Sequence, residues 1–79
     1  MPQATNASRA LVTGGAGFVG SSLVRMLLAA NFTVTVYDWL KPGRADYVPE
    51  GVELIVADIR DEESFRKAVE QTRPDIVFH

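Results

Sequence analysis

The sequence predicts an α/β fold with a parallel, doubly wound sheet in strand order 3-2-1-4. Short apolar or β-branched segments alternate with segments in which apolar residues recur every three or four positions, the period of a helix. Stretches that contain glycine, proline or asparagine separate these segments. The resulting order, β-α-β-loop-β-α-β, requires helical crossovers between parallel strands. Because such crossovers are right-handed, the second and fourth strands are expected on opposite sides of the first.

The predicted strands are short and mostly apolar. The first contains Ala10-Leu11-Val12 and stops at two glycines, which is typical of a buried parallel strand. The second is rich in β-branched residues and is followed by Asp38. Between the second and third strands, residues 39–51 contain two prolines and two glycines and are predicted to form a loop with at most one irregular turn. The predicted strands cover residues 9–13, 33–37 and 52–57, with a fourth starting at 76–78.

Two helices are predicted between these strands. The first begins at Phe18 and ends near Asn31, a plausible C-cap. Its predicted inner face consists of Val19, Leu23, Met26, Leu27 and Ala30. The second is capped by Asp61, carries two glutamates in its first turn and is broken by Pro74. Its predicted inner face consists of Phe65, Ala68, Val69 and Thr72.

Composition limits the classes of protein to which the chain can belong. The net charge is −2, and the basic residues are scattered, so nucleic acid is not an expected partner. There is no cysteine, no metal-binding constellation and no apolar segment long enough for a signal peptide or a membrane span. The cytoplasm is therefore the default location. Residues 1–8 are predicted to be a disordered leader, and residues 9–79 the N-terminal part of a domain, because a doubly wound sheet needs strands beyond the fourth.

A glycine-rich turn joins the first strand to the first helix. Gly14, Gly17 and Gly20 have the spacing G-x-x-G-x-x-G. Gly14 and Gly15 are expected to adopt backbone angles closed to other residues, Gly17 to let the backbone approach phosphates, and Gly20 to let the helix pack close to the strand. The free N–H groups of the helix then face a pyrophosphate. The alternative is a glycine-rich turn that binds no ligand. The position of the three glycines within a β-α-β unit favours dinucleotide binding over this alternative.

An acid at the end of the second strand supports this interpretation. Asp38 lies about 20 residues beyond the glycines, where a carboxylate accepts hydrogen bonds from the adenosine ribose. Such a carboxylate favours NAD and repels the 2′-phosphate of NADP. Lys41 and Arg44 lie just beyond and offer that phosphate an alternative partner, although solvated loop cations are the favoured interpretation. A P-loop is excluded because no Lys-Ser or Lys-Thr pair follows the glycines, whereas a methyltransferase with a similar turn remains an alternative.

The segment after the third strand offers further candidates for the adenine end of the cofactor. Asp58 is placed to face adenine with Ile59 packing near the ring, and the alternative for Asp58 is a turn or capping acid. Trp39 either packs on apolar surface, which is favoured, or flanks the adenosine.

The glycine segment resembles a known family. Val12-Thr13-Gly14-Gly15-Ala16-Gly17-Phe18-Val19-Gly20 is similar to the N-terminal fingerprint of extended short-chain dehydrogenases/reductases, in particular the NAD-dependent epimerase/dehydratase family acting on nucleotide sugars. The resemblance covers nearly all of residues 9–79. It implies a Rossmann fold, NAD as cofactor and, in the full-length protein, a nucleotide-sugar substrate and a homodimer. The cofactor-binding residues that the spacing and the resemblance together predict are Gly14, Gly17, Phe18, Val19, Gly20, Asp38, Gly43, Asp58 and Ile59. Trp39 and Lys41 depart from the asparagine and serine frequent in the family, so NADP stays open.

Catalysis in this family implies a Tyr-x-x-x-Lys pair on a helix, and the chain contains one literal match. Tyr37 and Lys41 have that spacing, but Tyr37 ends a strand and Lys41 lies in a loop, so they do not share a helical face. His79 is interpreted as a strand-end residue and not as a general base. No catalytic residue is therefore predicted in this chain, and residues 1–79 alone are expected to be inactive. The alternatives are a non-enzymatic regulatory module and an NADP-dependent reductase of the same superfamily.

Overall fold

The computed structural model describes residues 8–40 and 45–79 and contains four strands, two α-helices and one short 3₁₀ helix. In chain order these are β1 (Arg9–Thr13), α1 (Phe18–Ala29), β2 (Thr33–Asp38), the 3₁₀ helix (Ala45–Tyr47), β3 (Glu53–Val56), α2 (Glu62–Thr72) and β4 (Ile76–Phe78). The predicted elements are confirmed, with boundaries that differ by no more than about two residues. The predicted leader, apart from Ser8, lies outside the described residues, as do Lys41, Gly43 and Arg44.

The sheet is entirely parallel and has the order β3-β2-β1-β4, as predicted. Val12 of β1 lies opposite Val36 of β2 and Phe78 of β4, so the carboxyl ends of these strands meet at one edge of the sheet. At the opposite edge, Asp75 joins β4 to β1, because its carboxylate accepts a hydrogen bond from Arg9 N at 2.8 Å.

The two helices cover opposite faces of the sheet. Side chains alternate along β1, so that Val12 packs with Val24 and Leu27 of α1, whereas Leu11 packs with Tyr37 and with Ala68 of α2. The first cluster comprises Ala10, Val12, Val24, Leu27, Val34 and Val36. One helix on each face of a parallel sheet is the doubly wound arrangement that the sequence predicts.

The predicted inner face of α1 is partly wrong. Val19 and Met26 are 79% and 68% exposed, and Ala30 is also exposed, whereas Val24 is fully buried and Leu27 almost so. The reason is the close packing of Gly20 on the glycine turn, which fixes the rotation of the helix about its axis. Gly20, Val24 and Leu27 then face the sheet at i, i+4 and i+7.

Both helix ends that the sequence marks are found. Asn31 lies just beyond the C-cap Ala30 with φ +73°. Asn31 N donates to Leu28 O and Phe32 N to Leu27 O, which is a Schellman motif. Asp61 caps α2 by accepting from Ser64 N at 3.2 Å and Ser64 Oγ at 2.8 Å, as predicted.

Candidate functional site

The glycine turn lies at the carboxyl edge of the sheet, between β1 and the first turn of α1. Gly14 N donates to Tyr37 O of β2 at 2.9 Å, and Gly17 N donates to Gly14 O at 3.1 Å, which closes the turn. In an open α/β sheet, ligands bind outside this edge, where strand order reverses on either side of the first strand.

The first turn of α1 has the features of an anion-binding site. The N-cap is Gly17, which has no side chain to offer, and the first turn contains no acidic residue. The first intrahelical hydrogen bond runs from Ser21 N to Gly17 O, so the N–H groups of residues 18–20 precede it. By contrast, α2 has Asp61 as cap and Glu62 and Glu63 in its first turn. The dipole of α2 is thus offset by its own side chains, whereas the first turn of α1 offers its N–H groups to a ligand.

The glycines of the turn have different reasons to be glycine. Gly14 has φ +73°, as predicted, but Gly15 does not have a positive φ, so that expectation is wrong. A Cβ at Gly15 would lie 2.8 and 2.9 Å from the two methyl groups of Val36. Glycine is therefore required at this position because a larger residue would not fit. A Cβ at Gly20 would collide with the Gly14 carbonyl group, in agreement with the predicted close packing. A Cβ at Gly17 would meet only Gly14 O, at 3.4 Å.

Asp38 ends β2 beside this turn and is 7% exposed. Its Oδ2 accepts from Ala16 N at 2.9 Å, and its Oδ1 accepts from Leu40 N at 2.7 Å. The structure therefore brings the predicted acid next to the predicted phosphate-binding turn. The hydrogen bond between Asp38 and Ala16 N is not among the contacts predicted from the sequence. The adjacency of β1 and β2 was a signal, because it places the residues that follow the two strands side by side.

Asp58 and Ile59 follow β3 at the same edge. The Asp58 carboxylate accepts from Arg60 N at 2.9 Å and from the Arg60 guanidinium at 2.8–3.1 Å. The Arg60 guanidinium carbon in turn lies 4.7 Å from the centroid of the Trp39 ring. Asp58 thus makes the contacts expected of a turn-forming acid, which was the alternative interpretation. Its contact with adenine stays a prediction. Ile59 is 39% exposed and keeps apolar surface accessible.

The hydrogen bonds from the Arg60 side chain and backbone hold the pKa of Asp58 below its usual value. A group whose folded-state pKa is lowered stabilises the fold above its unfolded pKa of about 4, and that contribution is lost as the pH falls through the folded value. Arg60→Ala should therefore raise the pKa of Asp58 toward the ordinary value. A carboxyl ¹³C titration by NMR measures it, with Arg66→Ala as the control because Arg66 pairs with Glu63 and Glu70. An unchanged titration of Asp58 in Arg60→Ala would contradict the assignment of the cause.

Tyr37 is unsuited to proton transfer. It is 1% exposed, packs edge-on against Phe65 at 5.3 Å between ring centroids, and donates from its hydroxyl to Asp58 O at 3.3 Å. Burial, followed by the charges of Asp61 and Asp58, raises its pKa, which is opposite to what a catalytic phenol needs. Tyr37 lies in β2, as predicted, and packs in the core on the side of the sheet that α2 covers.

His79 follows β4, and its Nδ1 lies 2.9 Å from Thr13 Oγ1 at the end of β1. The hydroxyl of Thr13 also lies 3.3 Å from Phe78 O, to which it can donate. These contacts join the ends of the two strands, as expected of a strand-end residue.

Three further points from the sequence concern metal binding, membrane spans and the residues between positions 40 and 45. Within residues 8–40 and 45–79, no three or more histidine, cysteine, aspartate or glutamate residues are grouped so that they could hold a metal. Within the same ranges, neither helix has the length and apolar character needed to cross a bilayer. The predicted role of Gly43, and the alternative roles of Lys41 and Arg44, stay predictions because these residues lie outside the described part.

Comparison with known proteins decides the family. The model of the NAD dependent epimerase/dehydratase family matches residues 10–79. The chain belongs to this family. The resemblance predicted from the glycine segment is thereby confirmed at the level of the epimerase/dehydratase family.

Relatives in this family are several times longer than the chain. UDP-glucose 4-epimerase from Azospirillum brasilense is 35% identical over 77 residues, which cover 98% of the chain and 22% of that protein. UDP-glucose 4-epimerase from Thermus thermophilus, solved in complex with NAD, is 46% identical with a TM-score of 0.84, over 87% of the chain and 22% of that structure. The Thermotoga maritima enzyme with UDP-glucose is 37% identical with a TM-score of 0.85, over 90% and 23% respectively. The chain thus spans about a fifth of the length of the curated relatives it matches.

Proposed function

We propose that this chain forms the N-terminal NAD-binding region of an enzyme that epimerises or dehydrates nucleotide sugars. The observation that carries the proposal is the first turn of α1, whose N–H groups are not capped by a side chain and which Asp38 adjoins at the end of β2. The Thermus thermophilus relative, crystallised with NAD, supports the choice of cofactor, and the Thermotoga maritima relative, crystallised with UDP-glucose, supports a nucleotide sugar as substrate.

The residues of the chain fit a dinucleotide. The N–H groups of residues 18–20 would bind the pyrophosphate, and the absence of a side chain at Gly17 leaves room for it. Asp38 would accept from the adenosine ribose, because a carboxylate oxygen has more than one lone pair and can accept a second hydrogen bond. Phe18 and Val19, which are 78% and 79% exposed, would give apolar contact beside the pyrophosphate. When bound, NAD would supply reversible hydride transfer at its nicotinamide ring.

Substrate chemistry is assigned to the full-length protein. In the described part of this chain, Tyr37 is buried with a raised pKa, so we place the proton-transferring tyrosine and lysine of the family elsewhere in the protein. The homodimer expected from the resemblance and the cytoplasmic location expected from the composition stay predictions. The family match does not favour the alternative of a non-enzymatic regulatory module.

Calorimetric titration of the full-length protein with NAD and with NADP tests the cofactor. We expect NAD to bind at least about tenfold more tightly, a difference of about 1.4 kcal/mol, because the buried Asp38 carboxylate repels a 2′-phosphate. Tighter binding of NADP would overturn the choice of NAD. Failure of both dinucleotides to bind would overturn the proposed function.

A further inference from the structure

The Asp38 carboxylate has partners before any ligand is considered. One oxygen accepts from Leu40 N, two residues ahead in the chain, and the other accepts from Ala16 N in the glycine turn, 22 residues away. Ala16 is fully buried, and its hydrogen bond to Asp38 is buried as well. An acid that functions only as an acceptor for the ribose hydroxyls needs neither the bond from Leu40 N nor the bond from Ala16 N.

Among the described residues, the bond to Ala16 is one of two hydrogen bonds that join the glycine turn, residues 14–17, to β2. The other runs from Gly14 N to Tyr37 O at 2.9 Å. Gly14 and Ala16 flank Gly15, whose Cα leaves no room for a side chain against Val36. The turn is therefore hydrogen-bonded on both sides of Gly15, and the bond at Ala16 lies on the side that leads into α1.

Removal of the Asp38 carboxylate would leave Ala16 N without its acceptor in a buried position. A buried donor that loses its partner carries a desolvation penalty, so the turn is expected to shift until Ala16 N finds water. Such a shift would displace Gly17 and the N–H groups that follow it, since only one residue separates Ala16 from the start of α1.

We infer that Asp38 is a positioning residue for the pyrophosphate-binding turn, in addition to its expected contact with the ribose. The inference rests on the proposed function, because it assumes that the turn binds pyrophosphate. It divides the contribution of Asp38 to NAD affinity into two parts. One part depends on the hydroxyls of the adenosine ribose, and the other reaches the phosphates through Ala16 N.

A dinucleotide that lacks both ribose hydroxyls separates the two parts. The probe is NAD with 2′,3′-dideoxyadenosine in place of adenosine, and its dissociation constant is measured by calorimetry on the full-length protein and on Asp38→Ala. If Asp38 served only the ribose hydroxyls, the two proteins would bind this probe equally well. We expect Asp38→Ala to bind it at least about fivefold more weakly.

Two further variants distinguish positioning from general damage. Asp38→Asn keeps one side-chain oxygen that accepts a hydrogen bond, so it should recover part of the affinity for the dideoxy probe. Asp75→Ala is the matched control, because Asp75 also links two strands by accepting from a backbone N–H, but it does so at the opposite edge of the sheet. It should bind NAD and the probe as the wild type does. If Asp38→Ala does not fold, Asp38→Asn is compared with the wild type in its place.

Hydrogen exchange gives a readout that needs no cofactor. The amide of Ala16 should exchange slowly in the wild-type protein and much faster in Asp38→Ala, while the amide of Leu11 in the middle of β1 stays protected in both.

The outcomes separate this inference from the proposed function. Weak binding of the probe by Asp38→Ala, with partial recovery in Asp38→Asn, supports the positioning role. Equal binding of the probe by the wild type and Asp38→Ala overturns that role and leaves the NAD proposal standing. An equal loss in Asp75→Ala also overturns it. If the wild type binds neither NAD nor the probe, the proposed function itself fails.

Discussion

Gly20→Ala is expected to lower the free energy of unfolding by about 3 kcal/mol, near the upper end of what overpacking usually costs. A Cβ at this position would overlap the Gly14 carbonyl oxygen and lie 2.9 Å from both Gly14 C and Gly15 Cα. These atoms belong to the backbone of a turn that is hydrogen-bonded to β2, so they cannot move aside as the end of a side chain would. The helix must therefore move away from the sheet and lose part of its packing through Val24 and Leu27.

Destabilisation by Gly20→Ala would distinguish a packed glycine from an exposed one. At an exposed position inside a helix, replacement of glycine by alanine stabilises the helix by up to about 1 kcal/mol. Urea denaturation of the full-length protein measures the change, and Ser22→Ala is the control because Ser22 is exposed on the same helix. The control should change stability by less than about 0.5 kcal/mol. A Gly20→Ala protein as stable as the wild type would show that the helix does not pack on the turn as described.

The sequence predicts the element boundaries correctly because these depend on local signals. It predicts the strand order correctly because right-handed crossovers leave the second and fourth strands on opposite sides of the first. β-Branched runs, the cap at Asp61 and the residue before Pro74 each mark an end that neighbouring residues determine. The rotation of α1 is different, because this helix carries apolar residues on more than one face. Leu23 and Leu27 belong to both of the candidate stripes, so periodicity cannot choose between Val19 with Met26 and Gly20 with Val24. The contact of Gly20 with the turn makes that choice, and it is a tertiary contact.

The candidate site also combines features that the sequence predicts with features that depend on tertiary contacts. The spacing of the glycines and the acid predicts which residues meet, and Gly14, Gly20 and Asp38 are found at one edge of the sheet. What each residue does there depends on atoms that the pattern does not specify. Gly15 illustrates this, since a glycine required by backbone angle and one required by space look identical in a sequence. The Asp58–Arg60 pair is local, and its Asp-x-Arg spacing is a signal for the contact that was not predicted.

Gly17→Ala should have the opposite profile to Gly20→Ala: a nearly unchanged fold and a large loss of cofactor affinity. Gly17 has φ −83°, which any residue adopts, and a Cβ there would touch only Gly14 O, at the ordinary distance of 3.4 Å. The free energy of unfolding should therefore fall by no more than about 1 kcal/mol, because the methyl group meets no clash and the remaining cost is the poorer fit of alanine than of glycine at an N-cap.

The added methyl group of Gly17→Ala points into space that is otherwise open, at the N-cap of the helix whose N–H groups face the ligand. We propose that the pyrophosphate uses this space, so NAD should bind at least about tenfold more weakly, a loss of about 1.4 kcal/mol. Calorimetry gives the affinity and urea denaturation the stability of the same preparation. Ser22→Ala is again the control, because it lies beyond the first turn of α1 and should leave both quantities unchanged. If Gly17→Ala binds NAD as tightly as the wild type, the phosphates do not approach the backbone at this glycine, and the predicted role of Gly17 is wrong.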